Sequence, residues 1–269
     1  MSVRWIVSAF LAVAAAAAIA GCGGGGDDAS DRSEGATSTP GGHLAGRYAH
    51  YDVVAYQGEL LKTLIISYGF TDLTVEDGEL MAKESFCHAD QETDQPIETS
   101  ISDEATQAIK PRKVAVEVST KDGRTRFFRP ETPTGIGIDL EDPANDVLPD
   151  DPNDPRIADD DNDGNPGITV RIKVTDSIQG ELYIARRERF AYDVAEQADR
   201  SLTGTVEDHS EQLILGATDP IFITKDTWKQ VPDRAKSPII LKPVAKNWDC
   251  TRLMAERDNL FPPAPVVDW

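Results

Sequence analysis

The chain has few basic residues for its acidic content. Its 269 residues include 27 lysines and arginines against 47 aspartates and glutamates, which gives a formal net charge of −20 at pH 7. A surface of this charge repels phosphate groups, so the sequence argues against nucleic acid as a partner. Aromatic residues are also few, at 7%, but a hydrophobic fraction of 39% excludes a chain that is disordered throughout.

The chain also lacks the common catalytic motifs. No Gly-x-Ser-x-Gly sequence marks a serine hydrolase, and no pair of histidines has the spacing of a zinc-binding motif. The neighbours His209 and Ser210 are more simply interpreted as a polar turn than as part of a triad. We therefore expect a protein that is not an enzyme. The histidines are His43, His50, His88 and His209.

A long hydrophobic run occurs at the N-terminus. Arg4 precedes an apolar stretch that ends in Ile19-Ala20-Gly21-Cys22. This ending resembles the lipobox of bacterial lipoproteins. The resemblance implies a signal peptide at residues 1–21, lipidation of Cys22 and a lipid anchor in the membrane of the cell envelope. Gly23 in place of an aspartate implies the outer membrane. An uncleaved anchor, or an ordinary signal peptide with a cysteine by chance, is the alternative.

The two other cysteines are expected to pair. Residues 22–42 are rich in glycine, serine, threonine and aspartate, which predicts a flexible tether. Beyond it, Cys87 and Cys250 form an even pair in an exported chain, and this favours a disulfide between them. Two free buried thiols are the alternative.

Short alternating runs predict β-structure over residues 43–261. Asp77-Gly78 and Asp122-Gly123 are each typical of a type I′ hairpin turn. There is no phosphate-binding loop and no alternation of strands with helices. We therefore expect an all-β fold, an antiparallel β-barrel of about 8–11 short strands with little helix, as a single domain. Gly46-Arg47-Tyr48 resembles the Gly-x-Trp start of lipocalins, which favours a closed, lipocalin-like barrel over a sandwich.

The pattern also predicts individual elements. A helix is predicted over residues 249–261 and a loose tail over 262–269. Predicted strands include 47–56, 60–68, 71–75, 80–86, 168–174, 181–192, 202–206, 212–217 and 238–244.

An acidic loop over residues 139–167 interrupts this pattern. Residues 139–163 contain eleven acids and Arg156 as the only base. Near its end, Asp159-Asp160-Asp161-Asn162-Asp163-Gly164 resembles the first half of the calcium loops of EF-hands, dockerins and thrombospondin type 3 repeats. The resemblance implies Ca²⁺ bound by the side chains of Asp159, Asp161 and Asp163 and by the backbone carbonyl of Asn165.

The calcium loop departs from the EF-hand at its twelfth position. Val170 stands there in place of the bidentate glutamate, so a further ligand must come from elsewhere, with Asp154, Asp160 and Asp176 as candidates. A solvated acidic linker without an ion is the alternative. An acidic loop followed by a strand also resembles bacterial surface lipoproteins, a resemblance that implies no activity.

Three functional hypotheses remain open. The first is a lipid-anchored, non-enzymatic binding or structural module with a calcium-binding loop, whose protein or small-ligand partner is unknown. The second is a lipocalin-like carrier of a small apolar ligand, and the third is an envelope hydrolase with a dispersed active site. A hollow interior favours the second hypothesis. The basic cluster of Arg186, Arg187 and Arg189 is expected to form salt bridges with the acidic loop or a solvated face, and an anion site is the alternative.

Overall fold

A computed structural model describes residues 39–110, 112–149, 151–223 and 228–269. In chain order, the strands are β1 (Gly46–Gln57), β2 (Lys62–Glu76), β3 (Glu79–Thr93), β4 (Glu98–Ile101), β5 (Lys113–Ala115), β6 (Glu117–Lys121), β7 (Arg124–Arg129), β8 (Thr134–Ile136), β9 (Ile168–Thr175), β10 (Ile178–Glu188), β11 (Phe190–Glu196), β12 (Leu202–Asp208), β13 (Glu211–Ala217), β14 (Lys229–Gln230) and β15 (Pro238–Val244). The helices are α1 (Asp103–Gln107) and α2 (Cys250–Leu260), with 3₁₀ turns at Gly42–Leu44, Pro220–Phe222 and Arg234–Lys236.

Nine of the strands follow one another around a nearly closed antiparallel barrel. Their order is β5-β3-β2-β1-β15-β12-β11-β7-β6, and β14 pairs beside β1. β5 pairs with β3, while β6, the next strand along the chain, pairs with β7. Between them, the N–H of Val116 donates to the carbonyl of Leu80 at 2.9 Å. The two ends of the sheet therefore meet along one stretch of chain, which confirms the predicted barrel.

Both predicted Asp-Gly hairpin turns are present. Asp77 and Gly78 have φ angles of 51° and 84°, and Asp122 and Gly123 have φ angles of 52° and 74°. Positive φ at both central residues defines a type I′ turn, whose twist matches that of the flanking strands. The turns join β2 to β3 and β6 to β7.

Strand β1 is buried on both faces because the barrel is covered on one outer side. Tyr48, Val54 and Tyr56 belong to the hydrophobic cluster inside the barrel. The residues between them, such as Tyr51, belong to a second cluster that α2 covers. The last residues, expected to be loose, lie against this second cluster through side chains that include Trp269.

A second sheet lies over one end of the barrel, and the sequence did not predict it. Its order is β13-β10-β9-β4, with β8 beside β10. Residues 181–192 were predicted as one strand, but the chain passes from the second sheet to the barrel at Arg189, between β10 and β11. The adjacent segment passes from the barrel to the second sheet between β12 and β13. Accordingly, β11 pairs with β12 in the barrel, and β10 pairs with β13 in the second sheet. The two strand pairs form one long, bent hairpin.

The predicted disulfide is present. Cys87 on β3 and Cys250, the first residue of α2, are bonded, and their Cα atoms are 5.3 Å apart. A cross-link over so many residues restricts the unfolded chain and stabilises the fold by about 2–5 kcal/mol. It holds α2 on the outer face of the barrel.

Next to the disulfide, His88 links the barrel to α1. Its Nε2 atom lies 2.9 Å from Asp90, and its Nδ1 atom lies 2.6 Å from Asp103, the first residue of α1. The hydrogen bond to Asp90 raises the pKa of His88 although partial burial opposes this, and the bond to Asp103 raises it further. The short helix, capped by Ser102, is thus held on β3 by a charged pair.

We predict that this link stabilises the protein more at low pH. A histidine whose pKa is higher in the folded state contributes its full stability below its unfolded pKa of about 6.5, and the contribution disappears as pH rises through the folded pKa. His88→Gln should therefore lower the free energy of unfolding by about 0.5–1 kcal/mol at pH 5.5 and by much less at pH 9. Urea unfolding at the two pH values measures this difference.

Asp103→Asn is the companion variant for this test. It removes one of the two carboxylates that contact His88. In a protein that carries Asp103→Asn, His88→Gln should therefore lower the free energy of unfolding at pH 5.5 by less than it does in the unmodified protein. An equal loss of stability at both pH values would show that the His88 charge does not contribute.

Candidate functional site

A cavity lies where one end of the barrel meets the second sheet. Strands from the barrel, strands from the second sheet and α1 all contribute to its walls. The cavity has a volume of about 130 Å³. An apolar space of this kind, bounded by two layers of structure, is typical of a small-ligand site. The apolar wall residues include Val54, Ile65, Phe86, Ile136, Ile168 and Ile184.

Deeper in the barrel, an ion pair fills the interior. Arg129 and Glu84 are 3% and 4% exposed, and their side chains are 3.1 Å apart. The Tyr192 hydroxyl donates to Glu84 at 2.7 Å, and burial raises the pKa of Tyr192 well above its usual value, with the Glu84 charge adding to the effect. The Arg129 guanidinium lies 4.4 Å from the ring centre of Phe190, which lines the cavity. The cavity thus lies at one end of the barrel, on the other side of the Phe190 ring from Arg129.

A hydroxyl, an imidazole and a carboxylate line up beside the cavity. His50 is 1% exposed, with Nδ1 2.8 Å from Thr71 Oγ1 and Nε2 3.2 Å from Asp52 Oδ1. These are the residue types of a hydrolase triad. However, Thr71 is fully buried and does not line the cavity, so its hydroxyl cannot meet a molecule held there. Asp52 does line it.

A polar cluster occupies the bend of the long hairpin. Arg186 Nε donates to Glu188 at 2.7 Å, and Tyr56 donates to Asp208 at 2.7 Å. The Ser210 hydroxyl lies 3.1 Å from Glu188 and 2.9 Å from Asp208. Burial raises the pKa of Asp208, and the charge of Glu188 raises it further. Burial by itself lowers the pKa of Arg186. The negative charges around it, of which Glu188 has the largest effect, raise the pKa by more, so it lies above its usual value.

The other two arginines of the basic cluster also form salt bridges, but with glutamates outside the acidic loop, so the predicted pairing with carboxylates of the loop is wrong. Arg189 pairs with Glu131 at 2.5 Å. Arg187 pairs with Glu211 and also donates to the backbone carbonyls of Pro143 and Asp146 in the acidic loop. The loop is therefore attached to β10 through its carbonyl groups rather than its carboxylates.

The three aspartates of the predicted calcium loop converge. One carboxylate oxygen from each of Asp159, Asp161 and Asp163 lies within 4.8 Å of the others. Asp159 helps to close the turn, because it accepts the N–H groups of Asp163 at 3.1 Å and Gly164 at 2.9 Å. Gly164 has a φ angle of 89°, which a glycine adopts without strain.

Asp161 is the most buried of the three, with 8% of its surface exposed. Its Oδ2 atom accepts the N–H of Thr169 at 2.9 Å. Its Oδ1 atom is buried and has no hydrogen-bond partner among the described residues. Burial raises the pKa of Asp161, and the negative charge of Asp163 also raises it. A buried, unpaired carboxylate oxygen beside two other carboxylates is the arrangement that a bound cation would stabilise.

The remaining candidate ligands are engaged elsewhere. Asp160 accepts the N–H of Gly137 at 2.6 Å, and Asp154 pairs with Arg156 at 2.9 Å, a pairing that lowers the pKa of Asp154 to about 2. The Asp176 side chain is 98% exposed. Asn165 stays close to the cluster, since its N–H donates to Asp163 at 2.8 Å. The role of its carbonyl as a ligand stays a prediction.

Two glycines let the acidic loop lie directly on the second sheet. Gly137 and Gly167 have φ angles of 67° and 84°, and a Cβ atom on Gly137 would be 2.8 Å from the Cα atom of Gly167. A Cβ atom on Gly167 would be 2.2 Å from the carbonyl oxygen of Ile184 on β10. The sequence placed these glycines in or beside the loop but did not show that they meet.

Residues 1–38 lie outside the described residues, and with them the predicted signal peptide, most of the tether and Cys22. Among the helices that the structure describes, none has the length and hydrophobicity needed to span a bilayer. Comparisons with protein-family models, with curated proteins and with solved structures found no match.

Proposed function

We propose that the chain is a non-enzymatic binding protein of the cell envelope that holds a small, mostly apolar molecule. The cavity between the barrel and the second sheet carries this proposal. It unites the first two sequence-based hypotheses, a lipid-anchored binding module and a carrier. A molecule that enters the cavity removes its own apolar surface and that of the walls from water, which drives binding.

The hydrolase hypothesis receives less support. A nucleophile must reach the bound substrate, and the hydroxyl nearest to His50 belongs to the fully buried Thr71. The hydroxyl of Ser210 lies within hydrogen-bond distance of Glu188 and Asp208 and donates to one of them, and no histidine lines the cavity among the described residues.

We predict that filling the cavity prevents binding. Ala89 on β3 lines the cavity and is 7% exposed. Ala89→Leu adds three carbon atoms in the space that the ligand needs. A complex of this variant would be overpacked, which costs about 1–3 kcal/mol. The affinity for octan-1-ol, a neutral probe, should therefore fall about 5- to 150-fold in isothermal titration calorimetry.

The control for cavity filling is Ala245→Leu, which adds the same atoms at an exposed position after β15. It should bind octan-1-ol as the unmodified protein does. Circular dichroism checks that both variants are folded. Unchanged binding by folded Ala89→Leu would contradict the assignment of the cavity as the site.

We also propose that the acidic loop binds Ca²⁺. The support is the convergence of three carboxylates and, in one of them, the buried and unpaired Oδ1 atom of Asp161. Carboxylates and carbonyls are the ligands that Ca²⁺ prefers, and it accepts irregular geometry more readily than Mg²⁺ does. Asp159, Asp161 and Asp163 would hold the ion through side chains and Asn165 through its carbonyl.

We predict a modest stabilisation by calcium. Extracellular calcium modules bind with Kd values of about 10⁻⁴–10⁻³ M, so 1 mM calcium should add about 0.4–1.4 kcal/mol to the free energy of unfolding. Chelation should increase amide hydrogen exchange in residues 139–167 and leave the barrel strands protected. Asp161→Asn should abolish both responses, because it removes a central charge while an amide oxygen can still accept from Thr169.

Asp77→Asn is the matched control for calcium, since it removes one charge from the exposed turn between β2 and β3. It should respond to calcium as the unmodified protein does. Absence of any calcium heat or change in exchange up to 10 mM, about tenfold above the weakest expected Kd, would leave the solvated linker as the correct interpretation.

We further propose that the chain is attached to the envelope through lipid on Cys22, most simply at the outer membrane. The support is the resemblance of Ile19-Ala20-Gly21-Cys22 to a lipobox and the glycine that follows. Residues 23–38 would then separate the described domain from the bilayer. Several acyl chains hold a protein firmly, whereas one chain holds it only marginally.

We predict that a palmitate analogue labels the protein in bacterial cells and that Cys22→Ser abolishes the labelling. The serine hydroxyl cannot replace the thiol that accepts the lipid. Gly24→Ser, which keeps the cysteine, should still be labelled and should remain in the membrane fraction. Equal labelling of the Cys22→Ser variant would contradict a lipid anchor at this position.

A further inference from the structure

Among the described residues that line the cavity, Asp52 has a carboxylate oxygen with no hydrogen-bond contact. It is 7% exposed and lines the cavity from β1. Its Oδ1 atom is 3.2 Å from His50 Nε2, and its Oδ2 atom makes no hydrogen bond with any residue that the structure describes. Both ring nitrogens of His50 are engaged, Nδ1 by Thr71 and Nε2 by Asp52, and the Oδ2 atom of Asp52 takes part in neither contact.

The other charged groups of the cavity already have partners. Glu188 accepts from Arg186, and Asp208 accepts from the Tyr56 hydroxyl and the Ser210 N–H. The single proton of the Ser210 hydroxyl serves one of these two carboxylates. Arg186 donates to Glu188 and to Gln212. The described lining contains three carboxylates and one guanidinium, so its formal charge is negative.

This charge pattern distinguishes between ligand classes. A carboxylate oxygen beside apolar walls costs free energy unless a donor reaches it, and a cationic donor gives the strongest hydrogen bond. A ligand that carries its own carboxylate would instead meet three acidic groups and an arginine that is already paired. A neutral alcohol could donate to Asp52 but would not offset its charge.

We propose that the cavity selects an apolar molecule that bears one amino group, and that Asp52 Oδ2 accepts a hydrogen bond from this group. The proposal rests on the proposed binding function and specifies its ligand class. A cavity of about 150 Å³ binds a benzene ring, so a cavity of about 130 Å³ accommodates one ring or a short alkyl chain. A primary amine with a short alkyl chain or a single aromatic ring meets both requirements.

Three probes with the same eight-carbon chain test the proposal in the unmodified protein. They are octylamine, octan-1-ol and octanoate, titrated calorimetrically at pH 7, where the amine is protonated and the acid is ionised. Octylamine should bind at least about tenfold more tightly than octan-1-ol, the factor expected from one charge-assisted hydrogen bond, and octanoate should bind most weakly. Tightest binding by octanoate, or equal affinities for all three, would overturn the inference.

Asp52→Asn tests the residue itself. It should lower the affinity for octylamine about tenfold and leave that for octan-1-ol within about twofold, because size and shape are kept. Asp122→Asn, which removes the same charge from the exposed β6–β7 turn, should change neither affinity. An equal loss for both variants would assign the effect to the overall charge and overturn the role of Asp52.

The probe series also separates this inference from the proposed binding function. If none of the three probes binds, both fail. If octan-1-ol binds and Ala89→Leu prevents it, but octylamine has no advantage, only the amine specificity fails. Should Asp52→Asn not fold, the series in the unmodified protein still decides the ligand class.

Discussion

One bend in a long β-hairpin creates the space on which the candidate site depends. β11 and β12 pair within the barrel, and their continuations β10 and β13 pair within the second sheet. At the change of sheet, the Arg189 N–H donates to the Ser210 hydroxyl at 2.9 Å, and the His209 N–H donates to the Arg189 carbonyl at 2.8 Å. The backbone therefore stays hydrogen-bonded through the corner, so the strands change direction without leaving backbone N–H or C=O groups unpaired. The second sheet consequently folds over the open end of the barrel.

The acidic loop and the cavity share the second sheet. Asp161 accepts the N–H of Thr169, whose neighbour Ile168 lines the cavity. Asp160 accepts the N–H of Gly137, whose neighbour Ile136 also lines it. Successive residues of a strand point to opposite faces, so the loop can fix the backbone of one face while the other face forms the wall. An ion that neutralised the loop would thus favour the backbone geometry that the wall requires.

Sequence patterns within a few residues were enough to predict single strands, tight turns and the acidic loop. The strand 238–244 and the type I′ turns follow from short-range rules, and the Asp-x-Asp-x-Asp-Gly pattern located a cluster that does converge. The disulfide followed instead from the even number of cysteines that remained after Cys22. The second sheet was missed because alternation continues through residues 181–192, and alternation reveals the two faces of a strand but not which sheet it joins. α1 was also missed, because a helix of five residues is too short for a repeating pattern of apolar residues to be recognised. The cavity could not be predicted, since its walls come from strands far apart in sequence.

The depth of the cavity follows from the ion pair beneath it. Phe190 separates the Arg129 guanidinium from the cavity, and Phe86 packs edge-on against the His50 ring. Arg129 and Glu84 are almost completely buried, and removing either partner would leave an unpaired charge that costs about 3–5 kcal/mol. The barrel therefore resists opening further toward this pair. A ligand bound as proposed would be confined to the end next to the second sheet, with apolar walls on its sides and the carboxylate of Asp52 within the lining.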